Sequence, residues 1–113
     1  MTESCLFCRI VRREIPAKVI HEDEHTLAFR DIDPRAPTHV LVIPKVHVAS
    51  LNEVDDPALV GRLMLAAKQI AQAEGIGETG YRTVLNTGSN GGQTVFHLHV
   101  HLLGGRRLTW PPG

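Results

Sequence analysis

The run Phe96-His97-Leu98-His99-Val100-His101-Leu102 alternates imidazole and apolar side chains without a break. Successive side chains of a β-strand point to opposite faces, so His97, His99 and His101 share one face while Leu98, Val100 and Leu102 share the other. The strand therefore needs a sheet with one packed face and a second face that presents three titratable rings. Same-face neighbours stand roughly 6.5 to 7 Å apart, close enough for adjacent rings to act on neighbouring atoms of one small substrate. A strand that needed only solubility would carry Thr, Lys or Glu; three rings that titrate near neutrality point to chemistry.

The rest of the chain supplies such a sheet. Its 113 residues make one domain, 1–113, and no internal repeat, low-complexity tract or linker divides it. Phe7, Ile10 and Val11 follow helical spacing, which predicts a short helix over Leu6 to Arg13 that ends before Ile15-Pro16, since proline disfavours helical geometry in the residue before it. Lys18 to His21, Thr26 to Arg30 and His39 to Ile43 read as strands bounded by Glu22-Asp23-Glu24, Asp33-Pro34-Arg35 and Pro44. Asp56-Pro57 pairs a cap with a first-turn proline. Leu59, Val60, Leu63, Met64, Ala67, Ile70 and Ala71 then repeat at helical spacing until Glu74-Gly75, which is the one long helix. Tyr81 to Asn86 and Val95 to Leu103 read as two more strands around the turn-rich Thr87 to Gly92. The fold class is α+β, with about five antiparallel strands, one long helix and one short one.

Charge and composition exclude several roles. Lys plus Arg total 12 and Asp plus Glu total 12, so no net field draws the chain to nucleic acid or to an anionic membrane. No apolar stretch approaches the roughly 20 residues of a membrane span, and Met1-Thr2-Glu3-Ser4 lacks the basic start of a signal peptide, so a cytoplasmic protein is expected. The two cysteines, Cys5 and Cys8, are too few for a disulfide scaffold and have the spacing of a metal or redox pair.

Two chemistries suit the histidine strand. Two of its rings could share a zinc ion with an open position for water, as in a metal hydrolase, although no carboxylate lies beside the strand to serve as base. Alternatively, a neutral imidazole could attack phosphorus and form a covalent intermediate that water later cleaves. Upstream, Gly88-Ser89-Asn90-Gly91-Gly92-Gln93-Thr94 offers backbone N–H groups and a hydroxyl, the materials of an anion-binding nest; a loop of this composition is also an ordinary β-turn.

The string His97-Leu98-His99-Val100-His101-Leu102-Leu103 resembles the histidine-triad (HIT) signature. Arg13-Glu14-Ile15-Pro16-Ala17-Lys18, Ala36-Pro37-Thr38-His39, Val42-Ile43-Pro44-Lys45, Gly91-Gly92-Gln93, Leu103-Gly104-Gly105-Arg106 and Trp110-Pro111-Pro112-Gly113 are similar to the Hint branch of that family. The resemblance implies a HIT-like fold and a homodimer whose two five-stranded sheets join into a ten-stranded one. It further implies a purine nucleotide-binding hydrolase that converts nucleoside 5′-phosphoramidates to AMP and an amine, with no cofactor in the catalysis. By the same resemblance His99 is the nucleophile and becomes a nucleotidyl-histidine, and His101 and Thr94 hold phosphate oxygens. Asn86, Gly92, Gln93, Val95 and His39 surround the phosphate and the nucleophile, Asp31 with its neighbour Ile32 meets the ribose, and Phe7, Ile10 and Phe29 line the base pocket. Threonine at position 94 departs from the usual serine of this branch.

Cys5-Leu6-Phe7-Cys8 resembles the start of many bacterial HIT proteins. That likeness implies a structural zinc held by Cys5, Cys8, His47 and His97, a closed Cys₂His₂ set with no open position. A pair of reduced, half-buried thiols is the plainer alternative. A zinc-bound His97 has no part left in protonating a leaving amine. Two other functions share the triad: dinucleoside polyphosphate hydrolysis, disfavoured by the Trp110-Pro111-Pro112-Gly113 ending, and nucleotide sensing with incidental turnover.

Overall fold

The computed structural model describes residues 2–113; Met1, the first residue of the Met1-Thr2-Glu3-Ser4 start, lies outside the described residues. Helix α1 spans Leu6–Val11, strands β1, β2 and β3 span Val19–Glu22, Thr26–Arg30 and Thr38–Pro44, helix α2 spans Pro57–Ala73, and strands β4 and β5 span Tyr81–Val84 and Val100–Gly104. The strands form one antiparallel sheet in the order β1-β2-β3-β5-β4. The expected class and sheet are present; the ends of several elements differ from the expected ones.

Both helix ends of α2 follow from local chemistry. The Asp56 carboxylate accepts the N–H of Ala58 at 3.0 Å and Pro57 opens the first turn. At the other end Gly75 takes φ 79°, and the N–H groups of Gly75 and Ile76 donate back to Gln72 and Ala71 at 3.2 and 3.0 Å. Helix α1 stops at Val11, two residues early, because its closing left-handed residue is Arg13 at φ 64°. The N–H groups of Arg13 and Glu14 donate back to Ile10 and Arg9, the same closure without a glycine.

Strand alternation divides the core in two. Ala28, Val40, Val42, Leu98, Val100 and Leu102 face α2, whose Ala66, Ala67 and Ala71 allow close approach beside the larger Leu63 and Ile70. Leu27, Phe29, Leu41 and Ile43 face the other way and pack with Phe7 and Ile10 of α1. Strand β3, central and covered on both faces, is buried along its whole length.

The expected last strand begins at Val95, but its ladder begins only at Val100. The register pairs Val42 with Val100, so Pro44 would sit opposite Leu98, and proline has no N–H to offer. The Pro44 carbonyl instead accepts from the His97 ring at 2.9 Å, and the Leu98 N–H donates to Val48 at 2.7 Å. Strand β4 accordingly ends at Val84, paired with His101, and not at Asn86. Residues 95–99 keep the alternation of faces without the ladder.

Candidate functional site

On the face opposite α2, a cavity of about 380 Å³ opens between α1, the ends of β2 and β3, and the loop before β5. Its apolar end is walled by Phe7, Ile10, Phe29 and Val95, its rim by Asp31 and by Ile32, which is almost fully exposed, and its polar end by Asn86, Gly92, Thr94, His99 and His101. Leu6, Ile15, Pro16, Ala17 and Leu41 also line it and were not anticipated. Leu41 was legible, since it lies two residues from His39 on the same face of β3; the Ile15-Pro16-Ala17 turn carries no periodic signal.

The hydrogen bonds around the rings leave one consistent placement of protons. The His99 Nδ1–H donates to the carbonyl of His97 at 2.7 Å, so its Nε2 carries the free lone pair. His39 accepts the Arg35 N–H at Nδ1, 3.0 Å, so its own proton sits on Nε2 and donates to His101 Nδ1 at 2.9 Å. The His101 proton is thereby assigned to Nε2. His99 and His101 stand with ring centroids 5.0 Å apart, one with a free lone pair at Nε2 and one with an N–H there. Burial pushes the His101 pKa down to about 4, with the neighbouring His99 and His39 adding to it, and burial likewise lowers His39 and His99. The rings are neutral near pH 7.

A carboxylate does reach this network. Asp31 lies 3.3 Å from His39 Nε2, although none stands beside the histidine strand in sequence. Strand pairing brings the end of β2 alongside β3, and the Asp31 N–H bonds the His39 carbonyl. Asp31, His39 and His101 offer three donor atoms that could face one cation. The 2.9 Å between the two imidazole nitrogens is a hydrogen-bond length, shorter than the roughly 3.3 Å edge between nitrogens bound to one zinc, so the trio reads as a proton chain.

His39 and Gln93 stand behind the cavity wall. Gln93 is buried, and its Oε1 accepts the Gly88 N–H at 2.9 Å while its Nε2 donates to Ala49 and Val95 carbonyls at 2.8 and 3.2 Å. With Gly92 to Ser89 and Gln93 to Gly88 backbone bonds, this closes the loop over 88–93. Gln93 buttresses the loop from behind and spends its amide there. Gly91 packs so closely on the Thr87 backbone that a Cβ would overlap its carbonyl oxygen, and Gly92 takes φ 86°, so both glycines are required by shape.

Of the three strand imidazoles, His97 leaves the cavity. It is fully buried; its Nε2–H donates to Pro44, which turns the Nδ1 lone pair toward Cys5 Sγ at 3.4 Å, Cys8 Sγ at 3.5 Å and His47 Nδ1 at 3.3 Å. Cys8 Sγ lies 3.3 Å from His47 Nδ1. Zinc bonds of about 2.05 Å to nitrogen and 2.3 Å to sulfur give tetrahedral edges of roughly 3.3 Å between nitrogens and 3.6 Å between nitrogen and sulfur. The measured separations match those edges to within about 0.3 Å, so the donor set suits zinc. Burial and the adjacent Cys5 push the Cys8 thiol up to about 11, so a thiolate there calls for a cation beside it.

The HIT domain matches residues 12–108. An uncharacterized HIT-like protein of Synechococcus elongatus is 58% identical over 115 residues, covering all of both chains. The crystal structure of a HIT family hydrolase from Legionella pneumophila superposes with a TM-score of 0.95 at 57% identity, covering 97% of this chain and 100% of that one. A histidine triad nucleotide-binding protein from Candida albicans superposes at 0.84 with 33% identity, covering 96% and 83%. Matched by the HIT domain over residues 12–108 and superposing along nearly its whole length, the chain belongs to the HIT family and has the fold of a HIT family hydrolase.

Proposed function

We propose that the protein is a purine nucleotide-binding phosphoramidase that cleaves nucleoside 5′-phosphoramidates through a nucleotidyl-His99 intermediate. The observation that carries this reading is the 2.7 Å bond from His99 Nδ1–H to the His97 carbonyl, which leaves a neutral ring with its Nε2 lone pair free beside a cavity of nucleotide size. The Nε2 lone pair attacks the α-phosphorus. The nitrogen takes a proton from solvent as the phosphorus–nitrogen bond breaks with its electron pair going to that nitrogen, and the amine departs. Water then adds to the phosphorus and returns a proton to solvent, the phosphorus–Nε2 bond breaks with its pair returning to Nε2, and AMP is released. His101 Nε2–H, the Thr94 hydroxyl and the loop N–H groups supply donors for the oxygens that gather charge. The apolar walls of Phe7, Ile10 and Phe29 suit a base, and the Asp31 carboxylate at the rim suits ribose hydroxyls. His97 has no ring nitrogen left for substrate: one donates to Pro44 and the other joins the cysteine cluster.

Zinc held by Cys5, Cys8, His47 and His97 would supply folding energy and no open coordination position, so the hydrolysis runs on the imidazoles alone. A homodimer fits the sheet, because β4 is an edge strand with one side unpaired and its pairing with a second β4 gives ten strands. Light scattering at twice the chain mass checks this.

The deciding experiment is mass spectrometry of protein quenched while turning over a slow AMP-amine conjugate. A nucleotidyl adduct on His99, lost in His99→Asn while AMP still binds, is expected. Turnover in His99→Asn within about tenfold of the parent refutes a covalent role, and faster cleavage of diadenosine polyphosphates than of the AMP-amine refutes the substrate class.

A further inference from the structure

Taking His99 as the nucleophile proposed above, we infer that the Cys5, Cys8, His47 and His97 centre positions the His99 ring and one wall of the cavity, in addition to fastening α1 to the sheet. Two residues connect the centres. His97 is held at three points: its Nδ1 in the donor cluster, its Nε2–H on the Pro44 carbonyl, and its own carbonyl accepting the His99 Nδ1–H. The group that selects the His99 tautomer is thus the backbone of a metal ligand. Phe7 lies between the two cysteines in sequence, and its ring stands edge-on to His99 at 5.2 Å, to His97 at 5.9 Å and to Phe29 at 5.4 Å. It is at once a wall of the cavity and a part of the ligand-bearing segment.

The backbone around the cluster strengthens the coupling. His47 and His97 flank the Leu98 to Val48 hydrogen bond, so the two histidine ligands grip the pair of segments that leave β3 and enter β5. Bridged by a cation, the four donors hold these segments and α1 together; left to one another, they have only S···N and N···N contacts of 3.3 to 3.5 Å, which are weak for sulfur. A staple alone requires only that α1 stay attached. The observed connections require that the His99 ring and the Phe7 wall move when the cluster loosens.

The test compares zinc-loaded protein with the same protein stripped by a chelator. The readouts are ring ¹⁵N spectra of His99 without substrate, AMP affinity by calorimetry and far-UV circular dichroism. The loaded protein is expected to show a single Nδ1–H tautomer at His99. The stripped protein is expected to keep its circular dichroism, to show shifted or exchange-broadened His99 signals, and to bind AMP about tenfold more weakly. Unchanged His99 signals with AMP affinity within twofold overturn the inference, even if the melting temperature falls; so does a protein that binds no zinc when it is offered. If the stripped chain unfolds, Phe7→Leu decides in the loaded protein. One equivalent of zinc retained, a shifted His99 signal and about fivefold weaker AMP binding are expected, and an unshifted signal overturns it. Should loaded protein fail to bind AMP, the nucleotide reading is wrong while the ring spectra still decide the coupling.

Discussion

Lowering the pH tests the proton chain of His39 and His101 directly. The His101 pKa lies near 4 in the folded chain against 6.5 as its ordinary value, chiefly through burial, with the nearby His99 and His39 opposing a further positive charge. A ring that is harder to protonate when folded leaves stability intact above about pH 7.5; stability is lost as pH falls through 6.5 and levels off below 4. Between pH 7.5 and 5.5 the linkage relation gives about 1.4 kcal/mol for these two values, and partial exposure of the ring reduces this to about 1 kcal/mol. Urea unfolding of the parent and of His101→Gln at the two pH values isolates the effect. His39, also held down by burial, contributes to both proteins and cancels to first order. The single tryptophan, Trp110, is 80% exposed in the tail, so far-UV circular dichroism is the signal to follow. The parent should lose about 1 kcal/mol more than the variant over this interval. Equal losses, within about 0.3 kcal/mol, would show that His101 titrates alike in both states and would refute the neutral chain.

Gly91→Ala should lower kcat/KM at least about tenfold with circular dichroism unchanged, since its Cβ overlaps the Thr87 carbonyl and displaces the loop that faces the phosphate; full activity refutes the loop's role. Gln93→Glu should destabilise the protein by about 1 to 3 kcal/mol in urea melts, because a carboxylate would meet the Ala49 and Val95 carbonyls where an amide now donates. Leu63→Ala, at a fully buried site under the sheet, should cost about 2 to 5 kcal/mol while the folded fraction keeps its kcat, which activity per folded molecule measures.

Much of the fold was legible because its signals are local. Asp56-Pro57 and Glu74-Gly75 bracket α2 as helix-end chemistry requires, and Leu98, Val100 and Leu102 enter the core on the face that alternation assigns to them. Strand β5 was legible but its late start was not: that start depends on Pro44, a residue more than fifty positions away that brings no N–H to the ladder. The end of α1 likewise depends on Arg13 accepting a left-handed backbone, a choice composition does not announce.

The same division runs through the site. Periodicity alone determines that His97, His99 and His101 face away from the helix-covered core, and the Gly-rich stretch alone marks a tight loop before them, because side-chain direction and turn geometry are set by a few consecutive residues. Which atoms those rings meet is decided by strand order and by the bend after Pro44. These carry His97 to the cysteines, bring Asp31 and His39 to His101, and turn Gln93 inward. Such partners lie tens of residues apart, and only closure of the sheet sets their distances and leaves a lone pair on one ring beside a proton on the next.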